Sequence, residues 1–200
     1  MMETKKFESR EKVIEAVRQT RNLSGADLSG LDLSEIKFAG VNMAEVNLSD
    51  ADLEEAMLMG VNMAESNLSN ARLSEARIIG ANLTAANLRG ARLDEANIVG
   101  VSLRDADLSG ADLSESTLRG VGVEGADFSD VDTSGARAAN VDWDKAKVPP
   151  AELPEPLPTP PPWLPALIMG VVVLILILIV KNKRSAESLE DKATDPEEAE

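Results

Sequence analysis

An all-β, four-sided solenoid followed by one membrane-spanning helix is the architecture this sequence predicts. Three observations predict it. From Leu23 to Phe128 almost every fifth residue is large and apolar, with a small or β-branched residue two positions before most of them. From Val148 to Pro162 the chain is dense in proline. From Trp163 to Val180 it is uncharged and almost wholly apolar.

The first element is a short cap, residues 1–20. Phe7, Val13, Ile14 and Val17 share one stripe of a helix over about 6–19. The open end of a solenoid exposes core and backbone, so covering that end is the first use for such a stripe. Docking of a partner is the second. No apolar run of signal-peptide length occurs here, so the segment does not read as a secretion signal.

The second element is the repeat, residues 21–148. Units such as Ala26-Asp27-Leu28-Ser29-Gly30 and Ala81-Asn82-Leu83-Thr84-Ala85 recur without insertion as far as Val148. A period of five fits neither an amphipathic helix at 3.6 nor a plain strand at 2. Within a unit the small and the large residue are two apart, so both point to one side of an extended segment. A turn must then follow each unit to bring the next pair inward. Four units close a square coil of twenty residues, and stacked coils pair their backbones as a parallel sheet wound on itself.

In this pattern the chain resembles the pentapeptide-repeat family, whose unit is a small residue, Asp or Asn, Leu or Phe, and two variable residues. The likeness runs from Asn22 to about Lys147. It implies a right-handed quadrilateral β-helix. The large-residue column weakens at Thr133, Ala138 and Trp143, so the last coils should lead into a cap with Trp143 over the end.

Composition narrows the chemistry. Aromatic residues are 2% of the chain and apolar residues 44%, so Leu, Ala and Val must build a thin, regular core. There is no Cys and no His, which removes disulfides, thiolate and imidazole catalysis, and zinc ligation by sulfur or nitrogen. A formal charge of −15 disfavours direct binding to nucleic acid and suits basic partners or plain solubility. With no insertions there are no loops to build a catalytic cleft. The expectation is a non-enzyme without cofactors.

Sorted at a period of twenty, the outward positions differ from side to side. Beside the Leu33, Leu53, Leu73 column, Glu35, Glu55, Glu75, Glu95 and Glu115 form an acidic face, with Arg72 and Arg92 set among Asp32, Asp52, Asp112 and Asp132. On the side centred on Phe38, Leu58 and Ile78, outward Met57, Met59, Ile79 and Val99 form an apolar strip, each coil ending in glycine from Gly40 to Gly120. A contiguous outward apolar strip marks an interface more often than chance. Asn42, Asn62, Asn82 and Asn47, Asn67, Asn87 ladder the other two sides, where satisfying turn backbone is the first reading and ice or sugar binding a minor one.

The remaining elements are a proline-rich linker (149–162), a transmembrane helix (163–180) and an acidic tail (181–200). The linker reads as an extended spacer. Trp163 anchors the span at the interface, Pro165 sits in its first turn, Ala166 and Gly170 give a small-xxx-small dimer signal, and Val180 precedes Lys181, Lys183 and Arg184. Those basic residues favour a cytoplasmic C-terminus. A late span without a leader favours a repeat domain in the cytoplasm instead, and the second argument is preferred. The function expected is a single-pass, membrane-anchored scaffold for an unidentified protein partner, with self-association through a solenoid face or the helix as a further use. The alternative, which the family resemblance implies, is an acidic DNA mimic that modulates a DNA topoisomerase.

Overall fold

A computed structural model describes residues 5–158. They form an all-parallel β-solenoid of about six turns with one short N-terminal helix. Three-residue strands stack on one side of the coil: β1 (Lys37–Ala39), β2 (Met57–Met59), β3 (Arg77–Ile79), β4 (Asn97–Val99), β5 (Thr117–Arg119) and β6 (Arg137–Ala139). Each pairs with the next in register at the same position of the coil, Phe38 opposite Leu58 and Leu58 opposite Ile78. Single parallel bridges mark three further columns, through Asn22 and Asn42, Asp27 and Asn47, and Asp32 and Asp52. The pairing therefore runs in four columns, one of strands and three of single bridges.

The inward positions are those the period picks out. Leu28, Leu33, Leu48, Leu53, Leu58 and Leu68 are fully buried, and Ala51, Ala56, Ala71 and Ala76 let the walls close around them. Every fifth residue from Gly25 to Asn140 has positive φ. The sequence suggests left-handed backbone only where glycine stands, but the coil adopts it at every corner. Glu35, Glu55, Glu75, Glu95 and Glu115 accordingly sit at φ of 55 to 58°, a conformation that crowds Cβ against the carbonyl.

Helix α1 spans Arg10–Thr20, starting later than the sequence stripe suggests. Ser9 caps it by accepting from the Lys12 N–H. Ahead of it Phe7 is buried in extended chain, its N–H donating to the Asp27 carbonyl. Val13 is fully buried and Ile14 and Val17 pack on the core, so α1 covers the first coil. At the other end Trp143 opens a 3-10 turn (Trp143–Lys145) and meets Phe128 edge-on, with ring centroids 5.3 Å apart.

The proline-rich segment departs from expectation. Pro150 and Pro154 are buried, the Glu152 carbonyl accepts from Thr133 Oγ1 at 2.6 Å, and β7 (Glu155–Pro156) adds to β6 as a seventh strand. Glu155 N–H reaches the Ala136 carbonyl and Leu157 N–H that of Ala138. At the end of a sheet proline needs to donate nothing, so it is tolerated there. Residues 149–157 thus cap the last coil instead of standing free of it. The expected span with Trp163, Pro165, Gly170 and Val180, and the tail, lie outside the described residues. Among the described residues no helix is long and apolar enough to cross a membrane.

Candidate functional site

The corners explain the polar columns. In each coil the Asp or Asn before the large residue turns its Oδ1 to the N–H two residues on, as Asp27 does for Ser29 at 3.1 Å and Asn67 for Ser69 at 3.2 Å. On two of the columns the Asn amide then donates to its counterpart one coil earlier. Asn47 reaches Asp27 at 3.1 Å, Asn67 reaches Asn47 at 3.2 Å and Asn87 reaches Asn67 at 3.1 Å. Asn42, Asn62 and Asn82 form the same kind of ladder. These side chains are occupied in holding the coil, which accounts for them without a ligand.

On the column through Asp32 and Asp52 the arginines pair with neighbouring carboxylates. Arg72 pairs with Asp52 at 3.4 Å and also with Glu54, and Arg92 meets Asp94 at 3.5 Å. The Glu ladder does not lie out on that side. Glu35, Glu55, Glu75, Glu95 and Glu115 occupy the corner that leads directly into β1 to β5, all exposed. The acidic row and the apolar strip, which the sequence assigns to separate faces, therefore adjoin as one surface. It runs from the Glu corner, across the outward positions of the strands, to the corner of Gly40, Gly60, Gly80, Gly100 and Gly120.

Two outward columns fill that strand face. The one nearer the Glu corner reads Lys37, Met57, Arg77, Asn97, Thr117, Arg137, and the one nearer the Gly corner reads Ala39, Met59, Ile79, Val99, Arg119, Ala139. Met59 and Ile79 are 40% and 39% exposed, the large apolar side chains most open on the coils, and Met57 and Val99 are half-buried beside them. Lys37, Arg77, Arg119 and Arg137 are all exposed, and among the described residues none of them makes an ion pair. Residue type alone does not single out these four, although a twenty-residue count from Lys37 puts Arg77 and Arg137 in its own column, with Arg119 in the other. Near the N-terminal end, Lys37 and Phe38 also border a groove of about 340 Å³ whose far wall is Arg10, Ile14 and Arg18 of the helix.

A family model for pentapeptide repeats matches residues 22–63, 56–94 and 96–135. The chain belongs to the pentapeptide-repeat family. Several solved structures are similar to it. One is the pentapeptide-repeat protein Rfr23 from the cyanobacterium Cyanothece 51142, 25% identical over 68% of this chain and 100% of that one, with a TM-score of 0.44. Another is a trypsin-treated variant of QnrB1, a plasmid-mediated fluoroquinolone resistance protein, 20% identical over 72% and 75% with a TM-score of 0.38. A third is HetL from Nostoc sp. strain PCC 7120, involved in heterocyst differentiation regulation, 21% identical over 74% and 100% with a TM-score of 0.24. No curated protein matches this chain. Within this pentapeptide-repeat solenoid, the strand face is the surface whose side chains the coil itself does not occupy.

Proposed function

We propose that this chain is a membrane-anchored, non-enzymatic scaffold that presents a right-handed quadrilateral solenoid for protein–protein interaction through its strand face. The carrying observation is the outward Met59, Ile79, Val99 strip with Lys37, Arg77, Arg119 and Arg137 about it, which make no ion pair among the described residues. Apolar area gives affinity, and charge that no neighbour neutralises gives orientation. Family membership supports the right-handed winding, and the four bridge columns support the quadrilateral section. The apolar run 163–180, closed by Lys181, Lys183 and Arg184, supports a single-pass anchor. The repeat domain is assigned to the cytoplasmic side.

Replacing Met59, Ile79 and Val99 together by Ser tests the interface. The expected result is loss of the partner captured by the wild-type chain with an unchanged far-UV spectrum; full retention would refute it. Cysteines introduced singly at Ser24 and Ser185 test the anchor, because they should label from opposite sides of a sealed membrane, with Ser24 shielded from an impermeant reagent in intact cells. The alternative, a DNA mimic acting on a topoisomerase, draws on the charge of −15. The four cations on the strand face count against it, and an unchanged gyrase supercoiling assay would dismiss it.

A further inference from the structure

We infer that the strand face is covered by a second copy of this chain, the two solenoids lying side by side and pointing the same way. The inference rests on the reading of that face as an interface and of 163–180 as an anchor. Its basis is the distribution of charge across the face. A closed pair needs a two-fold axis, and two flat faces can be brought together by an axis along the coil stack or by one across it.

With the axis along the stack, each coil meets the same coil of its partner and the two outward columns exchange places. Met57 then lies over the partner's Met59, Arg77 over the partner's Ile79, Lys37 over the partner's Ala39 and Arg137 over the partner's Ala139. The Glu35 to Glu115 corner lies along the partner's Gly40 to Gly120 corner, where no side chain obstructs it. No cation opposes a cation and no carboxylate a carboxylate. With the axis across the stack, all six coils overlap in reverse and like meets like. Lys37 falls on the partner's Arg137, Glu55 on the partner's Glu115 and Glu75 on the partner's Glu95. Like charges placed directly opposite are destabilising, so the same pattern that admits the parallel pair rejects the antiparallel one.

Area adds a second constraint. Six strands about 4.8 Å apart make a face roughly 30 Å long, and at about 10 Å wide two copies bury on the order of 600 Å². A stable interface in solution takes about 1,200 Å² or more, so free rods should pair weakly. Anchoring in one membrane raises the effective concentration to the millimolar range without any new contact. The parallel pair also leaves both chains at the same end, at Leu157, as a shared membrane requires, whereas the antiparallel pair sends them apart.

The full chain has no cysteine, so introduced thiols are the sole targets. Differently tagged Ala39→Cys and Ala139→Cys chains, at opposite ends of the face, are reconstituted each alone and both together in the same liposomes, then treated with a short bis-maleimide. The expected result is that each variant links to its own kind, and the mixture yields no mixed product. Arg89→Cys, on the far side of the coil, should not link. Adding Ile79→Lys, at an exposed position that would set a cation against the partner's Arg77, should lower linking at least 10-fold with the far-UV spectrum unchanged. A mixed product overturns the parallel arrangement. Linking that survives Ile79→Lys, or that is as strong at Arg89→Cys, overturns the face as the contact. No linking at all, while the wild-type chain still captures a protein that the Ser triple variant loses, overturns the second copy and leaves the interface reading standing.

Discussion

The strand face and the face across the coil from it share one core and differ in how their outward side chains are used. On the far face Asn47, Asn67 and Asn87 donate along the stack while their Oδ1 atoms hold the corner N–H groups, and Arg89 and Lys147 pair with Asp107 and Asp127. Hydrogen-bonding capacity there is consumed in cohesion. On the strand face the backbone ladder of β1 to β6 provides the cohesion, and the outward side chains are released from it. A repeat fold can thus separate holding itself together from meeting another molecule, by giving each task its own side.

That contrast should vanish at the core. Leu58→Ala behind the strand face and Leu68→Ala behind the far face should each cost about 2–5 kcal/mol, since both side chains are fully buried and leave cavities. Equal losses in chemical denaturation are expected, and a mild loss at one alone would mean that the two walls do not share a core. The outward positions should separate. Asn67→Ala breaks the ladder on both sides and leaves a corner N–H without its acceptor, so it should cost about 1–2 kcal/mol. Arg77→Ala, which loses no ion pair, should fall within about 0.5 kcal/mol. If Arg77→Ala proved the costlier of the two, the division of labour between the faces would be wrong.

How much of this was legible in the sequence depends on what carried the signal. The coil and its core were, because one residue in five must be large and buried, and no other period puts Leu53, Leu58 and Leu68 inside. The Asn ladders were legible too, from residue type and spacing. The adjacency of Glu75 and Ile79 was not, because a count by columns does not say where one side ends, and the corner was fixed only by the positive φ at Glu75. Composition misled at residues 149–157: proline argues against a strand within a sheet but not against one at its end, where Pro156 sits opposite Ala138.

Acid should loosen the far face and the column beside it. Hydrogen bonds from the Ser129 hydroxyl and N–H, with help from Lys147, pull the Asp127 carboxyl down to about 2. Asp27 and Asp32 are lowered chiefly by the Ser29 and Ser34 side chains, and Asp132 by the Ser134 N–H. The unfolded value is about 3.9. A folded value below it means the contribution is complete above about pH 4 and is lost as pH falls through the folded value. Thermal midpoints should be flat from neutrality to about pH 4 and then decline towards pH 2. Asp127→Asn, which keeps an acceptor for Ser129, should flatten part of that decline. An unaltered decline would show that the carboxylate at this corner is not the group being titrated.

The smallest effect is expected at the two corners that bound the strand face, which meet the same backbone demand with different residues. Glu75 and Gly80 occupy successive corners, both with positive φ, 58° and 62°. A residue with a Cβ spends roughly 1 kcal/mol to sit there. Glycine avoids that cost but gives up about 0.5–1 kcal/mol through the extra freedom of its unfolded chain, so Glu75→Gly should shift stability by less than about 1 kcal/mol, and upward if at all. Glu75→Asn tolerates the left-handed region without glycine's entropy and should be the most stable of the series, while Glu75→Val, branched at Cβ, should be the least. Thermal melts separate these, because 1 kcal/mol moves the midpoint by a few degrees in a domain of this size. If Glu75→Gly instead lowered stability by well over 1 kcal/mol, the carboxylate would be contributing to the isolated coil, and the strand face would not be the side whose charges are left for a partner.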